Sequence, residues 1–236
     1  MKSVRKKRKP LLVTFSGIDG AGKSTQIAAV QSRLEEAGLR TVRAEFWDDV
    51  AVLSSLRESL SHAVFRGDKG VGSPDRPIER RDKNVNSGYL TAVRCLLYAL
   101  DAIHLRYVTA RLISGGADVV LFDRYIYDEI ANLPRNWLLD VLVALILGLA
   151  PHPDVPCIID AEAEAAFRRK PEYPLEFLDA NRVAYLRLSS AVKDMFVAGP
   201  GTPEKVQEEI LCAVRMKLPQ NFPTTIATAV VGPRGC

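Results

Sequence analysis

The chain is poor in cysteine, and the four it has, Cys95, Cys157, Cys212 and Cys236, lie far apart. With no CxxC pair and no Cys/His cluster at metal-ligand spacing, neither a zinc site nor a disulfide framework is expected, and a reducing, cytoplasmic setting fits best. Long apolar runs are also missing. The longest, Trp137 to Ala150, contains Asp140 and falls short of the roughly 20 residues a membrane-spanning helix requires, so it is expected to be a buried helix. Leu11, Leu12 and Val13 follow a basic start but are soon interrupted by Thr14, Ser16, Gly17 and Asp19, which argues against a signal peptide. Glycine and proline, 15 and 14 of 236 residues, are too scarce for a collagen-like or low-complexity chain, and 47% hydrophobic content argues against general disorder. Acids are absent from the first ten residues, where Lys2, Arg5, Lys6, Lys7, Arg8 and Lys9 cluster, so the net charge of +4 belongs to a tail and the body is slightly acidic. That tail has no interleaved aromatics, so neither a nucleic acid nor a membrane is expected as a partner.

What is present is an alternation of strand and helix patterns. Leu11 to Ser16 reads as a strand ending in a glycine loop, and from Lys23 the chain is helical, with Ile27, Val30 and Leu34 on one face. Gly38 marks that helix's end, Arg40 to Phe46 reads as a second strand and Val50 to Phe65 as a helix. The polar stretch from Arg66 to Gly88 reads as a surface excursion. Beyond it come a long helix over Tyr89–Ser114, a strand over Asp118–Phe122 and a helix pair broken near Pro134. Next follow a strand over Cys157–Asp160 and helices over Glu162–Arg169 and Leu175–Ser190. A last strand over Met195–Ala198 and a helix over Glu204–Leu218 complete the pattern. This order predicts a doubly wound α/β fold, a mostly parallel five-stranded sheet with helices on both faces and ligands at the strands' carboxyl ends. One domain over 11–218 is expected, between a flexible basic tail (1–10) and a mobile carboxyl-terminal tail (219–236).

Gly17-Ile18-Asp19-Gly20-Ala21-Gly22-Lys23-Ser24 matches the GxxxxGK[ST] phosphate-binding loop and lies between an apolar strand and an amphipathic helix, as that motif requires. Glycines let backbone N–H groups curl around phosphate oxygens, the helix amino end adds partial positive charge, and Thr25 extends that first turn. Lys23 is placed to reach the outer phosphates, and Ser24 to ligate Mg²⁺. A nucleoside triphosphate, ATP with Mg²⁺, is the expected ligand. No Asn-Lys-x-Asp guanine signature occurs, and a single domain of this size has no room for a motor apparatus, which leaves a compact phosphotransferase.

Asp123-Arg124-Tyr125 follows a strand, so an acid and an arginine stand at a strand's carboxyl end on the side where the phosphate loop opens. The acid can hold Mg²⁺ through water, and the arginine can grip a phosphate bidentately. The alternative is that Asp123 caps the next helix and Arg124 pairs with it.

At these residues the chain resembles the thymidylate kinase family of P-loop nucleoside monophosphate kinases. The resemblance rests on Phe15 to Gln26, Leu97-Tyr98-Ala99-Leu100-Asp101, Phe122 to Tyr125, Ile159-Asp160 with Glu164, Ala166 and Arg168, and Arg182-x-x-Tyr185. It implies the P-loop NTPase fold with a short lid, and transfer of the γ-phosphoryl group of Mg-ATP to dTMP. By the same resemblance Asp19 lies near the acceptor sugar, Arg124 on the acceptor phosphate, Tyr98 on the acceptor base, and Asp123 by the metal. Arg94 and Tyr185 are further candidates for the acceptor site; Arg94 shares a helix face with Tyr98 and Asp101. Because the loop carries Gly20 where some members place an arginine, Arg168 and Arg169 of the lid are expected to supply it. Tyr98 can equally be a packing aromatic, and the basic lid a solvated helix end. Ala102 stands where the family has a base-contacting arginine, and Phe46-Trp47-Asp48-Asp49 replaces its arginine and proline turn. Another phosphorylated acceptor, or a nucleotide-binding regulatory protein without transfer, therefore stays open, as does a homodimer.

Overall fold

The computed structural model describes residues 10–52, 88–131, 133 and 136–218. Five strands, β1 (Leu11–Ser16), β2 (Thr41–Glu45), β3 (Val119–Asp123), β4 (Val155–Ile159) and β5 (Phe196–Ala198), form one sheet in the order β2-β3-β1-β4-β5. Every pairing in it is parallel, beyond the mostly parallel sheet expected. The helices are α1 (Lys23–Glu36), α2 (Gly88–Ser114), α3 (Ile126–Ile130), α4 (Trp137–Leu149), α5 (Ala163–Arg169), α6 (Leu175–Ala191) and α7 (Pro203–Lys217).

Side-chain alternation along the central strands feeds two cores. Leu11, Val13 and Phe15 of β1 and Val119 and Leu121 of β3 pack toward Ile27, Val30 and Leu34 of α1 and Val206 and Ile210 of α7. Leu12, Val120 and Phe122 face the opposite way, toward Ala102 and Leu105 of α2, Ile126 of α3 and Leu139 of α4. A strand with helices on both faces has no solvated side, which is why all six residues of β1 are buried.

Three details depart from expectation. β2 ends at Glu45, and Phe46–Val50 forms a single π-helical turn rather than the end of a strand and the start of a helix. The apolar segment Trp137–Leu149 buries Leu139 and Ile146 but leaves Trp137 78% and Leu145 61% exposed, so it is not a buried helix. Cys95 and Cys157 are free and buried, whereas Cys212 is disulfide-bonded, a cross-link the cysteine spacing did not indicate. The expected helix beyond residue 52, the polar excursion up to residue 87 and both tails lie outside the described residues.

Candidate active site

Phe15 of β1 stands opposite Asp123 of β3, and the Arg124 backbone N–H donates to the Phe15 carbonyl at 2.9 Å. The loop leaving β1 and the turn leaving β3 therefore open side by side at the sheet's carboxyl edge, next to β4, where the chain changes direction across the sheet.

The loop's path needs residues without side chains. Gly20 (φ 80°) and Gly22 (φ 93°) are left-handed, a conformation that costs other L-residues about 1–2 kcal/mol. At Gly20 a Cβ would also collide with the Ala166 carbonyl oxygen of α5. The lid helix thus lies directly on the loop, and an arginine at this position is sterically excluded. Gly17 and Ala21 of the loop are buried. Gly22 opens α1, with no side-chain cap on its first N–H groups, which is how a helix amino end presents itself to an anion.

Lys23 is buried, and its Nζ donates to the carbonyls of Gly17 at 2.9 Å and Ile18 at 2.8 Å. Burial, with the like charge of Arg124, pulls its pKa down to about 8, although Asp19, Asp128 and Asp123 work in the opposite sense. A cavity of about 390 Å³ opens above it, floored by Asp19, Gly20, Gly22, Lys23 and the exposed Ser24 and Thr25. Asp123 and Arg124 line its wall beside Glu45 and Trp47, and Arg169 and Lys170 line it from the lid. Arg168 is exposed and lies outside that lining. A Cβ on Gly22 would come within 3.4 Å of Arg169 Nη1, so the lid arginine already overhangs the loop.

Asp123 does not cap α3; the residue at that helix's N-cap is Tyr125, boxed by Asp128. Its carboxylate instead receives Arg43 Nη2 of β2 at 2.6 Å. Arg124 has a left-handed backbone (φ 66°), and its guanidinium bridges two acids, Asp19 through Nη2 and Asp128 through Nη1, the latter at 3.1 Å. Burial opposes its charge, but Asp128 and Asp19 more than offset this and raise its pKa.

The three remaining acceptor candidates lie behind this wall. Tyr185 is buried and its hydroxyl donates to Asp128 at 2.8 Å. Burial first, then the Asp128 charge, pushes that phenol's pKa well up. It supports the wall rather than lining the cavity. Tyr98 packs in the core on the α2 side, and Arg94 Nε donates to its hydroxyl at 3.1 Å, while among the described residues Arg94 Nη1 is buried without a hydrogen-bond partner. The sequence reading missed Arg43, whose role depends on strand order, and Asp128. The latter carried a signal, because it stands four residues after Arg124 where a helix brings the two side chains together.

Ser24 and Asp123 offer hard oxygen donors to the same cavity, while no group of three His, Cys, Asp or Glu among the described residues could hold a metal alone. That donor set fits Mg²⁺, which is typically held by one or two protein oxygens together with substrate phosphates.

No family model matches the chain. A protein named "Probable thymidylate kinase" from Pyrococcus abyssi is 27% identical over 222 residues, 87% of this chain and 96% of that protein. A "Thymidylate kinase" from Leifsonia xyli is 28% identical over 225 residues, 89% and 97% of the two chains. A "Probable thymidylate kinase" from Methanothermobacter thermautotrophicus reaches 30% identity over 187 residues, 76% of this chain and 81% of the relative. Together with a phosphate loop and an Asp-Arg turn at adjacent strand ends, these relatives place the chain in the thymidylate kinase family.

Proposed function

We propose that the chain is an ATP-dependent phosphotransferase that moves the γ-phosphoryl group of Mg-ATP to dTMP, giving dTDP. The observation that carries this is the convergence of Lys23, Arg124, Arg169 and Lys170 with Asp19 and Asp123 on one cavity over the loop. A phosphate monoester is already a competent nucleophile, so the protein's task is positioning and charge neutralisation. The loop N–H groups and Lys23 bind the triphosphate, Arg124 orients the acceptor phosphate, and Arg169 meets the charge that develops on the transferring group. Ser24 and Asp123 would hold the Mg²⁺, which when bound supplies further neutralisation of the phosphate oxygens. Lying over the loop, α5 would help exclude water and suppress hydrolysis. Of the two expected lid arginines, Arg169 is the one we assign.

A coupled ADP-release assay across nucleoside monophosphates tests the reading. Turnover highest with dTMP supports it; turnover with another monophosphate and none with dTMP overturns the acceptor. That second outcome has its own motive: Ala102, at the position of the family's base-contacting arginine, is fully buried. ATP binding with no transfer to any acceptor is what the regulatory alternative requires.

For the assembly we propose a homodimer. Tyr89, Val93, Leu96, Leu100, Ile103 and Tyr107 of α2 are exposed, and their steps of three and four residues make an apolar seam of the kind helices bury against each other. Among the described residues no helix is long and apolar enough to cross a membrane; the cytoplasmic setting is part of the same proposal.

A further inference from the structure

Asp128 receives four hydrogen bonds. One carboxylate oxygen accepts from Arg124 Nη1 at 3.1 Å and Tyr185 Oη at 2.8 Å. The other accepts from Ser16 Oγ at 2.6 Å and the Tyr125 backbone N–H at 3.0 Å. These donors come from the end of β1, the turn after β3, and α6, so a single side chain ties together three segments around the loop. It does so out of water, with its side chain 1% exposed, whereas Asp19, at the other end of the Arg124 fork, is 23% exposed.

The two carboxylates therefore hold Arg124 differently. A phosphate arriving at the cavity can displace Asp19, which water can solvate as it lets go. Displacing Asp128 would strand a buried charge and the three donors other than Arg124, which is far more costly.

We propose that Asp128 is the positioning residue of the transfer reaction, keeping one edge of the Arg124 guanidinium anchored while Asp19 yields the other edge to the acceptor's phosphate. This rests on the reading of the site as a monophosphate kinase. Steady-state kinetics of Asp128→Asn with dTMP and ATP test it. The asparagine keeps the shape and loses the charge, so the acceptor KM should rise about tenfold or more, with ATP KM within about twofold of wild type, as loss of a charge-assisted bond implies. Tyr185→Phe should move the acceptor KM the same way by about two- to fivefold, since it removes one of the donors that hold the Asp128 carboxylate and leaves the other three in place. Unchanged acceptor KM in both variants overturns the proposal, as does an equal rise in both KM values accompanied by lower thermal stability. Should the asparagine variant fail to fold, Tyr185→Phe decides alone. A second readout does not need activity: the NMR signal of the Arg124 Nε–H, sharp in the wild type, should broaden by exchange in Asp128→Asn, and identical signals overturn the proposal. If wild-type protein phosphorylates no monophosphate, the kinase reading falls and this signal still judges the anchor.

Discussion

Lys23 and Arg169 are cations at one cavity, but they are held in opposite ways. Lys23 is 7% exposed and locked by two backbone carbonyls of its own loop. Arg169 is exposed, and its recorded bond runs from Nε to the Ala165 carbonyl one turn back, at 3.0 Å, while its neighbour Lys170 pairs with Glu172 at 3.1 Å. The floor's cation is buried in its own loop, whereas the lid carries its charges on exposed side chains. In the proposed reaction, binding would fall to the floor and the increment specific to the transition state to the lid.

Substitutions should separate the two. The largest effect is expected for Lys23→Ala, a loss of about 10³ or more in kcat/KM that includes weaker ATP binding, measurable by initial rates and ATP titration. Arg169→Ala should lower kcat about 10²- to 10³-fold while leaving the ATP KM within about threefold. A parallel rise in ATP KM would show that the lid binds as well as catalyses. Gly20→Ala attacks the contact between floor and lid. Its strained φ and the collision with Ala166 should lower the melting temperature by about 2–4 °C or more and kcat about tenfold.

The smallest effect is protonic. A buried lysine with a pKa of about 8 is mostly uncharged at pH 8.5, and bound phosphates restore its charge, so ATP binding at that pH should take up about three-quarters of a proton. Calorimetry in buffers of different ionisation enthalpy measures this, and Lys23→Ala should abolish it. The same depressed pKa means that the ligand-free protein binds fewer protons than the unfolded chain between about pH 8 and 10.5. Its stability should therefore rise with pH through that window.

The floor was legible in the sequence because its geometry is written in residue types: the glycines of Gly17–Gly22 report a backbone, and Lys23 and Ser24 follow at fixed spacing. The parallel α/β architecture was legible too, since alternating patterns admit few topologies, but the order of the strands was not. What escaped depends on neighbours. Asp128 looks like any acid in a first helical turn until Ser16 and Tyr185 arrive from distant segments. Arg43 acquires its partner only when β2 pairs with β3. Trp137–Leu149 was misjudged because hydropathy counts apolar residues without saying which of them another element covers.

The place of β1 in the sheet also bears on how the molecule is made. It is the central strand and fully buried, yet its partners come late in the chain: Leu11 waits for Val119, and Val13 for Val155. At ribosomal speeds of about 5–20 residues per second, an apolar strand is left unpaired for on the order of ten seconds. Parallel pairing between such distant segments is slow to nucleate. Throughout that interval the nascent strand is a target for chaperones and for aggregation, so yield on rapid expression should depend on how well it is shielded during synthesis.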